Sequence, residues 1–153
     1  MENWLYYEDD GILVPLDEFV EIEGCYGFVY KITNLETGKF YIGKKVFFHN
    51  KKKKLTKKKL AEQTGRGRKS TTKVEQVDSG WQTYWGSSKE LLADIKTLGK
   101  DKFQRVIIDF CNTKKQLTYA EIYHQMAYRV LFVDSYNDNI LGKFFRKDFD
   151  QSK

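Results

Sequence analysis

An α/β fold, in which a small three-stranded antiparallel sheet is flanked by helices and carries a basic insertion after its second strand, is the architecture these 153 residues predict. Three observations predict it. Residues 26–33 and 39–46 are rich in aromatic and β-branched side chains and enclose the turn-forming stretch Asn34-Leu35-Glu36-Thr37-Gly38, the pattern of a β-hairpin. Residues 87–99 have the capping and apolar periodicity of a helix, and a further strand and helix follow at 103–110 and from Thr118 onwards. A lysine-rich stretch separates the hairpin from the first helix.

In chain order, residues 1–25 come first as an acidic arm: Glu2, Glu8, Asp9, Asp10, Asp17, Glu18, Glu21 and Glu23 are opposed by no Lys or Arg. In the hairpin, a loop of residues 34–37 pairs Thr33 with Gly38 and, counting back equally, Tyr30 with Tyr41. Cross-strand partners face the same side of a sheet, so the two phenols share one surface. Lys45 has the strand parity of Tyr41 and joins them, whereas Lys44 points to the opposite face. Residues 47–80 are the insertion, expected to be mobile, and 51–73 hold eleven bases against the single acid Glu62. Dense positive charge is a common footprint of phosphate-backbone binding, although a solvated loop has the same composition.

In the helix that follows, Ser87 and Glu90 have capping-box spacing, Leu91, Leu92, Ile95 and Leu98 form an apolar stripe, and Gly99 supplies a stop. Phe103-Gln104-Arg105-Val106-Ile107-Ile108-Asp109-Phe110 is the third strand. Thr118 opens a second helix that runs to about Val130, with Ile122, Met126 and Val130 on one face. Residues 141–153 are a tail.

The composition narrows the function classes. One domain of this length, 41% hydrophobic and 16% aromatic, can bury a single core without staples. No apolar run approaches the ~18 residues of a membrane span, and the acidic opening lacks the basic and apolar regions of a signal peptide, so a soluble, intracellular protein is expected. Cys25 and Cys111 lack C-x-x-C spacing and form no zinc pattern with His49 and His124, which makes both cysteines buried thiols.

The run Phe28-Val29-Tyr30, the triplet Tyr41-Ile42-Gly43, the flanking Tyr30-Lys31-Ile32-Thr33-Asn34 and Thr37-Gly38-Lys39, and the segment Tyr84-Trp85-Gly86-Ser87-Ser88-Lys89 before Leu98-Gly99-Lys100 resemble the GIY-YIG nuclease family, in its phage-type homing or free-standing members. The second triplet matches outright; in the first, Phe28 stands where the family has glycine. The resemblance covers about residues 26–140. It implies a DNA endonuclease that hydrolyses phosphodiesters with a water nucleophile and one divalent cation such as Mg²⁺, phage-encoded and acting in the cytoplasm of a bacterial host. Tyr30 would be general base or relay, Tyr41 would position water or phosphate, and Glu121 would bind the metal. The family's arginine has no clear counterpart: 51–54 in the aligned region are all lysine, and Arg66 and Arg68 are the nearest arginines. Lys51, Lys52, Lys53, Lys54, Arg66, Arg68 and Ser87 are accordingly the expected substrate contacts, together with the family's asparagine, assigned to Asn139 over Asn137. The phenol chemistry sets a condition of its own, since a hydroxyl with an ordinary pKa near ~10 is a poor base at neutral pH unless cations such as Lys45 lower it.

Each residue also has a plainer reading. Tyr30 and Tyr41 are good strand aromatics. Glu121 stands three residues after Thr118 and would complete a capping box there, although it shares its helix face with Gln125 rather than with Ile122 and Met126. Trp81, Tyr84 and Trp85 read as packing residues, His49 and His124 as surface histidines, and Ser87 as a helix cap. At the level of function the rivals are a catalytically inactive nucleic-acid-binding protein on the same scaffold and an interaction protein whose acidic arm mimics nucleic acid. The chain has thirteen residues after Ile140, so target recognition is expected to come from the basic insertion or from a partner.

Overall fold

The computed structural model describes residues 3–16, 24–65 and 67–150. The strands are β1 (Leu5–Tyr7), β2 (Leu13–Pro15), β3 (Gly27–Asn34), β4 (Phe40–Val46) and β5 (Phe48–Lys54). A short helix α1 (Lys57–Ala61) precedes β6 (Thr72–Asp78), helix α2 (Lys89–Leu98), β7 (Phe103–Cys111) and helix α3 (Lys114–Ala127). A small hairpin, β8 (Asn139–Ile140) and β9 (Phe144–Phe145), comes last. Among the described residues, no helix is long and apolar enough to cross a membrane.

The main sheet has five strands rather than three, in the order β2-β1-β7-β3-β4. The expected three lie at one side, β3 pairing antiparallel with both β4 and β7. The acidic N-terminal segment supplies the other two: β1 runs parallel to β7 and folds back on β2 through the turn Glu8-Asp9-Asp10-Gly11. Their apolar content was outweighed in the sequence by the surrounding charge, and a three-residue strand is too short to show alternation. Trp4 seals this addition into the core, 2% exposed, with its indole N–H donating to the Trp81 carbonyl at 2.8 Å. Glu2, Asp17, Glu18, Glu21 and Glu23 lie outside the described residues.

Side-chain alternation divides the core into two layers. Phe28, Tyr30 and Ile32 face the 81–85 segment and α2, joined by Trp4, Trp81, Trp85, Leu91, Ile95, Phe103, Ile107 and Tyr136. Val29, Ile42 and Cys111 face α3 and the segment after it, where Leu117, Ala120, Val130, Leu131 and Ile140 close the second layer. Burial in that layer raises the Cys111 thiol pKa to about 11, which makes it an inert core group, while Cys25 is half-buried.

Both helices start away from where their caps were expected, α2 by one residue and α3 by five. Ser88, not Ser87, caps α2, its hydroxyl accepting from the Leu91 N–H at 3.3 Å. Leu91 and Ile95 are buried, whereas Leu92 and Leu98 are exposed. Helix α3 begins earlier than Thr118: Thr113 caps it by accepting from Gln116 N–H, and it ends at Ala127 rather than Val130. Two Ser or Thr candidates lie within a few residues in each case, and burial of the correct apolar face chooses between them.

The 47–80 insertion, expected to be mobile, is folded. β5 pairs with β6 over their whole length, from Phe48↔Asp78 to Lys54↔Thr72, as a two-stranded ribbon with α1 near its tip. All seven residues of β5 are exposed. Arg66 lies outside the described residues.

Candidate active site

The hairpin register differs from expectation by two residues: Thr33 pairs with Phe40, Ile32 with Tyr41 and Tyr30 with Gly43. The turn is tighter on paper than in the fold, because Asn34 closes it from inside, its N–H donating to the Lys39 carbonyl and its Oδ1 accepting from Glu36 and Thr37 N–H groups. A shift of two preserves parity. Tyr30 and Tyr41 therefore still share a face, as diagonal neighbours with ring centroids 6.1 Å apart. Gly43 makes this possible: a Cβ there would stand 2.5 Å from the Tyr30 hydroxyl and 2.9 Å from the Tyr41 ring. The register of β3 on β7 also shifts between Val29 and Tyr30, a bulge of the kind that re-aims a side chain beside a site.

Tyr84 completes a three-phenol group. Its ring meets Tyr30 edge-on at 6.0 Å, and its hydroxyl serves as a hydrogen-bond partner that favours neutral Tyr30. Tyr84 packs against the core as its sequence setting suggested, and its ring faces the hairpin phenols from the segment before α2. Ser87, freed from capping, meets the Tyr41 hydroxyl at 3.1 Å. The preceding Gly86, at φ +87, provides the left-handed turn that brings it there. Behind this segment, buried Arg105 holds the Gln82 and Tyr84 carbonyls at 3.2 and 2.7 Å and lies between the Trp4 and Trp85 rings.

Tyr30 is 1% exposed. Burial is the main reason that its pKa lies well above the ordinary phenol value, with Tyr41, Tyr84 and Glu121 adding to the rise. The Tyr41 pKa is raised by burial too, partly offset by its hydrogen bond with Ser87. Lys45, expected to lower a phenol, sits over the Tyr84 ring at 4.1 Å and does not reverse either shift.

Glu121 reaches the site from α3, across the open edge of β4. It stands in mid-helix, eight residues beyond the Thr113 cap, so it is not the acid of a capping box. Its carboxylate takes a hydrogen bond from the Lys44 backbone N–H and lies 3.9 Å from Lys44 Nζ. Its charge acts on both Tyr30 and Tyr41. Burial raises its own pKa, with Lys44 opposing the shift. The shared face of Glu121 and Gln125 addresses this edge: Gln125 Nε2 donates to the Ile42 carbonyl at 3.2 Å. Thr118, on the same helix, accepts from Lys44 Nζ at 3.3 Å. Thus Lys44, read as pointing away, is the lysine beside the carboxylate.

Asn137 and Asn139 part company. Asn137 is buried and clasps the edge strand, accepting from Ile42 N–H at 2.9 Å and donating to the Ile42 carbonyl at 2.8 Å. Asn139 is exposed in β8 and caps the local turn at Gly142. Arg146 fastens the Asn137 segment by donating to the carbonyls of Val130, Val133, Ser135 and Asn137. Lys51, Lys52, Lys53 and Lys54 stand on the ribbon, away from the phenols in the chain, and Arg68 is exposed in the loop before β6. His49 is exposed, and His124 contacts Asp109 at 3.0 Å.

Three phenols and a carboxylate thus gather about the central hairpin of a small α/β domain, with lysines on both faces of its strand β4. The family model described as "Putative endonuclease segE, GIY-YIG domain" matches residues 15–141, and the chain belongs to that GIY-YIG nuclease family. It is thereby a phosphodiester hydrolase by class. No curated protein and no solved structure matches the chain.

Proposed function

We propose that the protein is a divalent-metal-dependent DNA endonuclease in which the three phenols and Glu121 handle the water nucleophile and the scissile phosphate. The observation that carries this is the pairing of the Tyr30 and Tyr41 rings on one face of the β3–β4 hairpin, with the Glu121 carboxylate held beside Lys44 of β4 and its charge acting on both phenols. A phosphodiester is anionic, and its attack by water needs a proton acceptor, an orienting group and positive charge at the developing oxyanion.

Glu121 suits a hard cation. Its carboxylate is partly buried, Lys44 Nζ stands as far as 3.9 Å from it, and burial has raised its pKa despite that lysine. Mg²⁺ is commonly held by one or two carboxylates, with waters and substrate phosphate filling the shell. Among the described residues no group of three or more His, Cys, Asp or Glu is placed to hold a metal, so waters and the substrate phosphate would complete the shell around a cation at Glu121. A cation there would neutralise charge on the phosphate and acidify water. Lys44 and Lys45 would supply positive charge in place of an arginine. Tyr41, held by Ser87, would orient the phosphate or water. Tyr30, kept neutral by its surroundings, acts as a relay with Tyr84 rather than as a phenolate formed in advance.

The second reading, a binder that does not cut, draws on Arg105: this arginine of the phenol layer is buried between two tryptophans instead of facing substrate. A supercoiled-plasmid nicking assay with Mg²⁺ separates the two. Wild type should nick, and Glu121→Gln should lose at least about a hundredfold in rate while retaining fold and DNA affinity, the scale on which one catalytic group acts. Full activity in folded Glu121→Gln would sink this assignment.

A further inference from the structure

The β5–β6 ribbon has two unlike faces, set by strand parity and pairing. One carries Lys51 opposite Glu75 and Lys53 opposite Lys73. There Glu75 bridges Lys53 at 2.7 Å and Lys73 at 3.0 Å, and these lysines draw its pKa down to about 2. The opposite face carries Asn50 opposite Gln76, Lys52 opposite Val74 and Lys54 opposite Thr72. Val74 is 60% exposed at its centre, an apolar side chain that the fold does not use.

The ribbon is rooted in the site. Its base is the fully buried Phe47, packed at 5.1 Å on both Phe28 and Trp81, and Ser79 N–H closes it on the Phe47 carbonyl at 3.0 Å. One strand continues from β4, which carries Tyr41 to Lys45, and the other leads into the segment that carries Tyr84 and Ser87. Both roots of the ribbon are thus continuous with the segments that carry the phenols.

We propose that this ribbon enters the major groove of the DNA being cut and that Asn50, Lys52, Lys54, Thr72, Val74 and Gln76 read base edges there. The inference rests on the nuclease reading above. A two-stranded ribbon fits the major groove, and the residue types are those the groove's pattern selects: amides for adenine, lysine for guanine, methyl-bearing side chains for the thymine methyl. The phosphate backbone supplies the partner for the ribbon's surplus positive charge. Asn50 follows Lys45 by five positions, at most ~17 Å of extended chain, so the bases read lie within about one helical turn of the cut.

The test is selection of bound duplexes from a random-sequence pool by the full chain without divalent cation, which reads binding alone. Wild type should enrich a sequence preference. Asn50→Ala/Gln76→Ala should keep total affinity within about threefold and lose about five- to a hundredfold of preference at one or two positions. Lys51→Ala/Lys53→Ala, on the other face, should weaken binding evenly and keep the preference. An unselective wild type, or an unchanged preference in the Asn50/Gln76 variant, overturns the reader. A chain that selects sequences yet never nicks plasmid with Mg²⁺ would overturn the nuclease and leave the reader standing.

Discussion

Gly43 is the residue on which the phenol geometry turns. Its missing Cβ is the space that the Tyr30 hydroxyl and the Tyr41 ring occupy, and Tyr30 has no room to retreat because its ring is buried among Trp4, Phe28 and Tyr84. Gly43→Ala should cost about 1–3 kcal/mol, the usual result of overpacking, and should lower the nicking rate beyond what that loss explains at a temperature where the variant stays folded. Equal nicking by folded wild type and variant would show that the phenols tolerate displacement. Glu121 yields a pH prediction. Burial raises its pKa, so the folded state holds the proton more firmly than the unfolded chain. The residue then weakens the fold as pH rises from the ordinary carboxylate range through the raised value, and the full penalty is present above it. Glu121→Gln should accordingly gain in relative stability as pH rises above the ordinary carboxylate range in urea titrations. A gain in the opposite direction would mean that its contacts with Lys44 outweigh desolvation.

The N-terminal strand pair belongs to the core, although it reads as an acidic arm. Trp4 packs on Phe28 and Tyr30 at 5.1 and 5.3 Å, donates to Trp81, and stacks with Arg105, which in turn holds the Tyr84 carbonyl. Trp4→Ala should cost about 3–5 kcal/mol. Neutralising Glu8, Asp9 and Asp10 in the exposed turn should change stability by no more than about 0.5 kcal/mol each. Thermal unfolding of the two variants checks the contrast; a mild Trp4→Ala would make β1 and β2 an appendage. The clasp of the Ile42 backbone by Asn137 and Gln125 does the comparable job at the other edge, covering ladder groups that β4 would leave open.

Across the whole molecule, a net charge of +6 conceals a polar distribution, with eight acids in residues 1–25 and eleven bases in residues 51–73. The bases stand on a ribbon whose β5 strand is exposed throughout, joined at its foot to the phenol site. If its Lys51/Lys53 face tracks phosphates, neutralising those two lysines should reduce the log–log salt slope of DNA binding by about 0.9 per lost contact. An unchanged slope in fluorescence titrations at several salt concentrations would place the duplex elsewhere.

The sequence alone determined what depends on local periodicity. The hairpin, the shared face of Tyr30 and Tyr41, the companionship of Glu121 with Gln125, and the presence of two helices and a third central strand follow from alternation and capping chemistry, which act over a few residues. The two-residue register error left the site intact because parity survives it. Only the tertiary structure decided which serine caps α2, which asparagine clasps β4, that Tyr84 joins the phenols, and that Trp4 draws an acidic segment into the sheet. Those choices are made by burial between residues far apart in the chain: Asn137 meets Ile42 and Trp4 meets Trp81 only once the core closes, and no local pattern records which distant groups that closure brings together.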